Sequence, residues 1–148
     1  MCTPTFKRIL MPTDFSSCAE KALRYAVGLA RVFSSRITVL HVFDDRVVNS
    51  LYNLRKLSPE VAREEMLKTA KKRMKKLMKA DFVSGLKLQA RYAEGFPPRV
   101  VQEVAEEIGA DLIVMGTHGD TGLAQLLYGS TAEGVVRGAP CPVLTVNP

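Results

Sequence analysis

The sequence predicts an α/β protein built on a mainly parallel, doubly wound β-sheet with helices on both faces. Short apolar or β-branched segments alternate along the chain with longer segments whose apolar residues recur every three or four positions. Parallel strands need crossover connections, and the alternation supplies a helix for each of them. In such a sheet, ligands bind beyond the carboxyl ends of the strands, where the winding reverses.

The first part of the chain contains two predicted strands and one predicted helix. Residues 6–11 form a short strand that Pro12 ends, since proline cannot continue a hydrogen-bonded ladder. Residues 16–33 form a helix, because serines at its start can cap it and its apolar residues fall on one stripe. Residues 36–42 are rich in β-branched side chains and form the second strand.

The middle of the chain is predicted to be irregular or partly helical over residues 44–58 and then to form a long basic helix. Ser58 suits the N-cap of this helix and Pro59 its first turn. Its apolar residues form a stripe, and these lysines fall mainly on the opposite side: Lys68, Lys72, Lys75, Lys76 and Lys79. We interpret the lysines as a solvated face, with an anion-binding surface as the alternative. No aromatic residues lie between them, so nucleic acid is not the expected partner.

The second half of the chain repeats the alternation of strand and helix. Residues 86–92 alternate apolar and polar side chains, as a half-exposed strand does. Residues 98–108 form a helix that Gly109 ends. The remaining predicted elements are a strand over 111–115, a helix over 129–137 and a last strand over 143–146.

Composition places the chain among ordinary globular proteins. Its 148 residues are 47% hydrophobic and 24% charged, which suits a single domain with a substantial core. No run of about 18 apolar residues predicts a membrane span, and no signal segment opens the chain, so we expect a cytoplasmic protein. The three cysteines are too widely spaced for a disulfide framework or a metal site, and we expect reduced thiols.

The segment that carries the most chemical information follows the strand over 111–115. Its glycines are Gly116, Gly119 and Gly129, and Ser130 and Thr131 begin the next helix. Glycines allow close approach of the backbone to a ligand, and a helix start offers unpaired N–H donors that suit phosphate. The pattern is neither a P-loop nor a dinucleotide fingerprint. The residues alone leave two interpretations open, a phosphate site and a plain turn before a helix.

This glycine spacing and three other motifs resemble those of the universal stress protein family. The three motifs are Pro12-Thr-Asp14, the strand end His41-Val42 and the closing run from Cys141 to Val146. The resemblance covers this chain from Phe6 to Val146. The resemblance implies a five-stranded parallel sheet in the order 3-2-1-4-5 and a single nucleotide-binding domain over residues 1–148. The spacing Gly-x2-Gly-x9-Gly-Ser marks the ATP-binding branch. The resemblance therefore implies ATP as the ligand, with ADP or AMP as alternatives and Mg²⁺ with the phosphates.

The family pattern also implies a role for each matching residue. Asp14 approaches the adenine or ribose, Pro12 and Thr13 shape its loop, and Val42 lines the adenine pocket. The residues expected under the ribose and at the phosphates are Met115, Gly116, His118, Gly119, Gly129, Ser130 and Thr131. Many members are homodimers that pair through the last strand, here Val143 to Val146.

One residue departs from the family pattern. Asp120 stands where many members have lysine or arginine. A carboxylate near a triphosphate is unfavourable, by about 1 kcal/mol at about 4 Å in bulk water and by more in a partly desolvated pocket. Asp120 therefore favours a Mg²⁺-bound nucleotide or one with fewer phosphates.

The expected function is nucleotide binding for a stress response or signalling, with little or no hydrolysis. His118 and Asp14 are the residues that could support catalysis, but neither has a predicted nucleophile or paired base beside it. The favoured interpretation of His118 is a plain loop residue, whereas Asp14 is equally well explained as a helix cap. Two alternatives stay open, a slow ATPase or phosphotransferase and a flavodoxin-like signalling domain without nucleotide.

Overall fold

A computed structural model describes residues 3–119 and 129–148 of the chain. In these residues the strands form a parallel sheet in the order β3-β2-β1-β4-β5. The strands are β1 (Arg8–Pro12), β2 (Arg36–Asp44), β3 (Lys87–Gly95), β4 (Leu112–Gly116) and β5 (Val143–Val146). The predicted doubly wound architecture and strand order are confirmed.

Helices connect these strands, and their ends follow the capping signals in the sequence. They are α1 (Ser17–Phe33), α2 (Asp45–Arg55), α3 (Pro59–Met78), α4 (Pro97–Ile108) and α5 (Ser130–Gly138). The Ser16 hydroxyl accepts a hydrogen bond from the N–H of Ala19 at 3.2 Å, and Ser58 caps α3 through the N–H of Val61 at 3.3 Å. A short 3₁₀ turn (Asp81–Val83) that the sequence did not predict follows α3.

The two faces of the sheet carry separate apolar cores. Ile9 and Met11 of β1 pack with α1 and with Met74 of α3 on one face. Leu10, between them in sequence, packs with α4 and α5 on the other face. This alternation follows from the period of two along a strand, and it confirms helices on both faces.

Several boundaries differ from the predicted ones, among them the end of β3, which runs to Gly95 rather than to residue 92. Strand β2 continues to Asp44, because its pairing with β3 extends as far as Gly95. Pro12 lies inside β1 as its last residue, although it was predicted to follow the strand. A proline is tolerated at a strand end because it lacks only one N–H donor of the ladder. The segment over 44–58, predicted to be irregular or partly helical, contains helix α2, whose first turn is capped by the Asp44 carboxylate at 3.0 Å from the N–H of Arg46.

The basic helix and the cysteines agree with the expectations from sequence. In α3, Ala70 and Met74 are buried whereas the five lysines are exposed. Cys18 is a buried free thiol and Cys141 a half-buried one; Cys2 lies outside the described residues. Among the helices of the described residues, none combines the length and the hydropathy needed to cross a bilayer.

Candidate functional site

The candidate site lies at the carboxyl edge of the sheet, where the winding reverses between β1 and β4. These two strands are neighbours, with Ile9 opposite Leu112 and Leu10 opposite Ile113. Helix α1 leaves β1 on one face of the sheet, and α5 leaves β4 on the other. The loops that follow the two strands therefore face each other, which is the position where open α/β sheets bind ligands.

The loop after β1 is fixed by short hydrogen bonds within itself. The Asp14 carboxylate accepts a hydrogen bond through Oδ1 from the N–H of Ser16 at 2.9 Å. The Thr13 hydroxyl accepts one from the N–H of Phe15 at 3.0 Å, and the Thr13 N–H donates to the carbonyl of Leu40 at 2.8 Å. Phe15 has a φ of 63°, a conformation that costs energy for a bulky residue, so the bonds around it hold a strained turn in place.

The Asp14 carboxylate reaches across to the loop after β4. A Cβ added to Gly119 would lie 2.5 Å from Oδ2 of Asp14, which is closer than two non-bonded atoms approach. Asp14 and Gly119 are both exposed. These two predicted site residues, which are more than a hundred positions apart in sequence, are therefore in direct contact.

Thr117, which sequence analysis did not select, connects β4 to β5 and α5. Its N–H donates to the carbonyl of Val146 at 3.0 Å, and its own carbonyl accepts from the N–H of Gly129 at 2.7 Å. Its hydroxyl oxygen lies 3.2 Å from Oδ1 of Asn147. The only signal in the sequence is a threonine between two glycines directly after a strand, which is too common a pattern to identify it.

The N-terminus of α5 lies at this edge of the sheet. Gly129 is the N-cap, with a φ of −63°, and no side chain of the described residues caps the first turn. Ser130 is exposed and Thr131 is half-buried. A Cβ on Gly129 would lie 2.9 Å from the carbonyl oxygen of Thr117, so only glycine fits where α5 meets β4. The N–H groups of the first turn, which no side chain of the described residues caps, and the helix dipole together favour an anion here.

Gly116 is required by packing against α1. A Cβ at this position would lie 2.7 Å from Sγ of Cys18 and 3.1 Å from its carbonyl carbon. The Cys18 thiol in turn donates to the carbonyl of Val146 at 3.3 Å. The neighbouring Met115 is 4% exposed and packs in the core between the sheet and helices α4 and α5, so only its backbone is available to a ligand.

Pro12 and Val42 lie on the strands beside this edge. Pro12 is half-buried and pairs with Leu40 in the register of β1 and β2. Val42, two residues beyond Leu40, is half-buried and packs on the same face as α4 and α5. Val42 therefore lies near the carboxyl end of β2, which runs two residues past it, and its contact with a nucleotide stays a prediction.

His41 points to the opposite face from Val42 and supports the Asp14 loop from behind. Its Nδ1 lies 2.8 Å from the carbonyl oxygen of Thr13, and because a carbonyl only accepts, Nδ1 carries the proton. Its ring centroid lies 4.7 Å from that of Phe15. Burial lowers the pKa of His41, against the opposing effects of the Thr13 hydrogen bond and the Asp14 charge.

His118 and Asp120 complete the list of sequence-selected residues. His118 is half-buried, with Nδ1 2.7 Å from the hydroxyl oxygen of Thr117. Asp120 lies outside the described residues, so its effect on a triphosphate stays a prediction. Within residues 3–119 and 129–148, no three His, Cys, Asp or Glu side chains come together as a metal site would require.

Comparisons with known proteins give one consistent family. The profile described as "Universal stress protein family" matches residues 5–147. Universal stress protein MJ0531 of Methanocaldococcus jannaschii is 37% identical over 96% of this chain and 82% of its own length. Universal stress protein MJ0577 of the same organism is 32% identical over 96% of this chain and 95% of its own length.

Solved structures agree with the sequence comparison. The structure of MJ0577 superposes with a TM-score of 0.86 at 32% identity and covers 98% of both chains. A universal stress protein solved in complex with cAMP has a TM-score of 0.62 at 23% identity, over 97% of this chain and 98% of its own. A universal stress protein from Archaeoglobus fulgidus, solved in complex with dAMP, has a TM-score of 0.61 at 23% identity. The match covers 97% of this chain and 99% of its own. At that identity the last two show the fold alone.

Proposed function

The chain belongs to the universal stress protein family, and from that premise we propose that it binds ATP as a nucleotide-dependent stress or signalling module. The 148 residues act as one nucleotide-binding domain with little or no hydrolysis of their own. One observation carries the proposal. The Asp14 carboxylate lies against Gly119 at the sheet edge where α5 presents its uncapped N-terminus.

The phosphates belong at the N-terminus of α5 in this proposal. The first turn offers backbone N–H groups that no described side chain occupies, and Ser130 and Thr131 add hydroxyls. A Cβ at Gly119 would meet Oδ2 of Asp14 at 2.5 Å and one at Gly129 would meet the Thr117 carbonyl oxygen at 2.9 Å, so both positions need glycine for the loops around the proposed site to come together. The helix dipole adds an attraction of about 0.3–1 kcal/mol for an anion at an exposed site.

The nucleoside belongs on the side of Asp14. A carboxylate repels phosphate but accepts hydrogen bonds from a ribose hydroxyl or an exocyclic amine, so Asp14 orients the ligand. Pro12 and Thr13 hold its loop, and Val42 offers an apolar contact for the base. Met115 and Gly116 contribute backbone only, since one side chain is buried and the other absent. His118 lies beside Gly119 and completes the predicted set.

Mg²⁺ has a secondary place in this proposal. The described residues supply no cluster of metal ligands, and Asp14 is the carboxylate nearest to Gly119 among them. Mg²⁺ keeps several waters and binds through substrate phosphates in many nucleotide sites. It would accompany the phosphates rather than occupy a cage of protein side chains.

Slow hydrolysis is the second candidate, and one contact favours it. The Thr117 hydroxyl and His118 form a hydroxyl–imidazole pair at 2.7 Å, the arrangement that activates a nucleophile in many enzymes. Thr117 is, however, 1% exposed, so its oxygen is out of reach of a bound phosphate. The pair therefore positions the loop, and binding without turnover agrees better with the geometry. Multiple turnovers of ATP that His118→Ala abolishes would reverse this conclusion.

We also propose that two copies associate through β5. This strand lies at the edge of the sheet, where its outer backbone groups are free to pair. Leu144 of β5 is 37% exposed, so an apolar side chain accompanies this edge. Light scattering is expected to give a dimer for the native chain and a monomer for Leu144→Lys. A native monomer at tens of micromolar would rule the dimer out.

The first experiment is to identify the nucleotide that co-purifies with the folded protein. The protein is denatured with acid, and the released ligand is analysed by chromatography and mass spectrometry. An adenine nucleotide at a fixed ratio to protein is expected. The solved relatives with cAMP and dAMP bind adenine nucleotides, but at 23% identity the proposal for this chain depends on its own residues. No bound nucleotide, together with no thermal shift on adding ATP, ADP or AMP, would favour a signalling domain that binds none.

A further inference from the structure

A second cavity lies on the other face of the sheet, between the carboxyl end of β2 and helix α3. It has a volume of about 310 Å³, and its aromatic wall consists of Phe15, His41 and Phe43. We propose that this cavity is a separate ligand site, which takes a small planar aromatic acid with one or two rings. The proposal does not depend on nucleotide binding.

The two sites are separated by the sheet itself. His41 and Phe43 alternate with Val42 along β2, so their side chains point away from the face on which Val42 packs. The other wall of the cavity is α3, which packs on the face opposite to α5. A ligand between β2 and α3 therefore leaves the N-terminus of α5 unoccupied.

The shape and surface of the cavity favour a flat aromatic ligand. The ring of His41 lies 4.7 Å from Phe15 and 4.9 Å from Phe43, centroid to centroid, and the second pair is perpendicular. A fourth ring, supplied by the ligand, gains further edge and face contacts in such a cluster. The volume is at the small end of the range for ligand pockets, about 300–1,000 Å³, which limits the occupant to one or two rings.

Arg73 supplies the charge that selects an acid. Its guanidinium carbon lies 5.6 Å from the centroid of Phe15, and it has no carboxylate partner among the described residues. Glu65 also lines the cavity, but it precedes Arg73 by eight residues, which is about 12 Å along a helix. The aromatic end of the cavity is therefore the cationic end. A carboxylate there gains an ion pair without approaching Glu65.

His41 adds a hydrogen-bond acceptor beside the aromatic wall. Since Nδ1 donates to the Thr13 carbonyl, Nε2 of the neutral ring carries a lone pair, and no described residue bonds to it. Burial lowers the pKa of His41 below 6.5 against the opposing effects of the Thr13 hydrogen bond and the Asp14 charge, and the charge of Arg73 adds a smaller effect in the same direction as burial, so the neutral ring is favoured near pH 7. A phenolic hydroxyl or ring N–H on the ligand satisfies this acceptor.

The probe is 6-hydroxy-2-naphthoate, a fluorescent two-ring acid with one hydroxyl. We expect saturable binding to the full chain at one site per protomer. Thr69→Phe fills the cavity from an exposed helix position and is expected to abolish binding while the melting temperature stays close to that of the native chain. Arg73→Met is expected to weaken binding by about three- to fivefold, the usual range for an exposed ion pair.

Lys76→Met is the matched control, because it removes a charge from the same helix three residues away, at a position that does not line this cavity. Its affinity for the probe is expected to stay within about twofold of the native value. The uncharged probe 2-naphthol is expected to bind Arg73→Met as well as it binds the native chain. An equal loss in Lys76→Met would show that general positive charge holds the probe, and would overturn the site.

Competition with nucleotide decides whether the cavity is separate. Saturating ATP is expected to leave the bound naphthoate in place. Stoichiometric displacement of the naphthoate by ATP would make the cavity part of the nucleotide site and overturn the proposal. Native affinity of Thr69→Phe for the naphthoate would also overturn it. So would naphthoate binding that does not saturate below 1 mM, a dissociation constant equivalent to about −4 kcal/mol. Naphthoate binding by a protein that ignores ATP would contradict the proposed function alone.

Discussion

The Asp14 carboxylate fills the space that a side chain at position 119 would occupy. Its Oδ2 lies 2.5 Å from the place of a Cβ on Gly119, while its Oδ1 is held by the N–H of Ser16 at 2.9 Å. One carboxylate thus joins the loop after β1 to the loop after β4. Because Oδ1 is held by this hydrogen bond and Oδ2 lies against Gly119, a side chain at position 119 would have to displace the carboxylate.

Gly119→Ala is expected to weaken ATP binding by at least about tenfold, equivalent to 1.4 kcal/mol. The methyl group displaces the Asp14 carboxylate, which orients the nucleoside in the proposed site. Isothermal titration calorimetry measures the change. Gly28→Ala is the matched control, because Gly28 lies on the exposed side of α1. A Cβ added there would have no neighbour within 4 Å outside the backbone of its own helix. That variant should keep its ATP affinity and gain about 0.5–1 kcal/mol of stability. Equal ATP affinity in Gly119→Ala and Gly28→Ala would place the ligand elsewhere.

Gly129→Ala tests the junction between β4 and α5. The residue has an ordinary φ of −63°, so alanine suits its backbone conformation. Its Cβ would nonetheless lie 2.9 Å from the Thr117 carbonyl, which is the acceptor for the N–H of the same residue. We expect a loss of about 1–3 kcal/mol in urea unfolding and a parallel loss of nucleotide affinity. Native stability in this variant would show that the junction adjusts freely.

Gly116→Ala is expected to destabilise the fold through α1 rather than through the ligand. The added methyl meets Sγ of Cys18 at 2.7 Å and its backbone at 3.1 Å, which predicts a cost of about 1–3 kcal/mol. Adding Cys18→Ala removes the sulfur clash but not the backbone one, so the double variant should recover only part of the loss. Unfolding of the two single variants and the double variant measures this coupling. Simple additivity of the two changes would contradict it.

The sequence was sufficient for the fold and for part of the site. Capping by Ser16 and Ser58 and the alternation along β1 are local properties, so they could be predicted from short segments. Thr117 could not, because its role arises from three elements that meet only in the folded chain. The αL conformation of Phe15 could not be predicted either, because bulky residues avoid it unless tertiary contacts impose it.

The stability of the protein is expected to depend on pH through His41. Its pKa is lowered by burial below the ordinary value of 6.5, so the folded state disfavours the protonated ring. The contribution of neutral His41 is therefore complete above about pH 6.5 and is lost as the pH falls toward the lowered value.

His41→Phe keeps an aromatic ring in the stack but cannot titrate. Urea unfolding of both proteins at pH 8 and pH 5.5 measures the difference in free energy of unfolding. We expect the advantage of the native chain over His41→Phe to shrink at the lower pH. A difference that is the same at both pH values would show that His41 does not titrate differently in the folded and unfolded states.

The most direct test of the proposed function compares adenosine, AMP and ATP in calorimetric titrations with and without Mg²⁺. If the phosphates bind at the N-terminus of α5, affinity should rise from adenosine to AMP. A further rise to ATP is expected with Mg²⁺ present, which offsets the predicted repulsion from Asp120. Each rise should be reduced in Gly129→Ala. Equal affinities for adenosine and its phosphates, or no binding of any of the three, would contradict the proposed phosphate site.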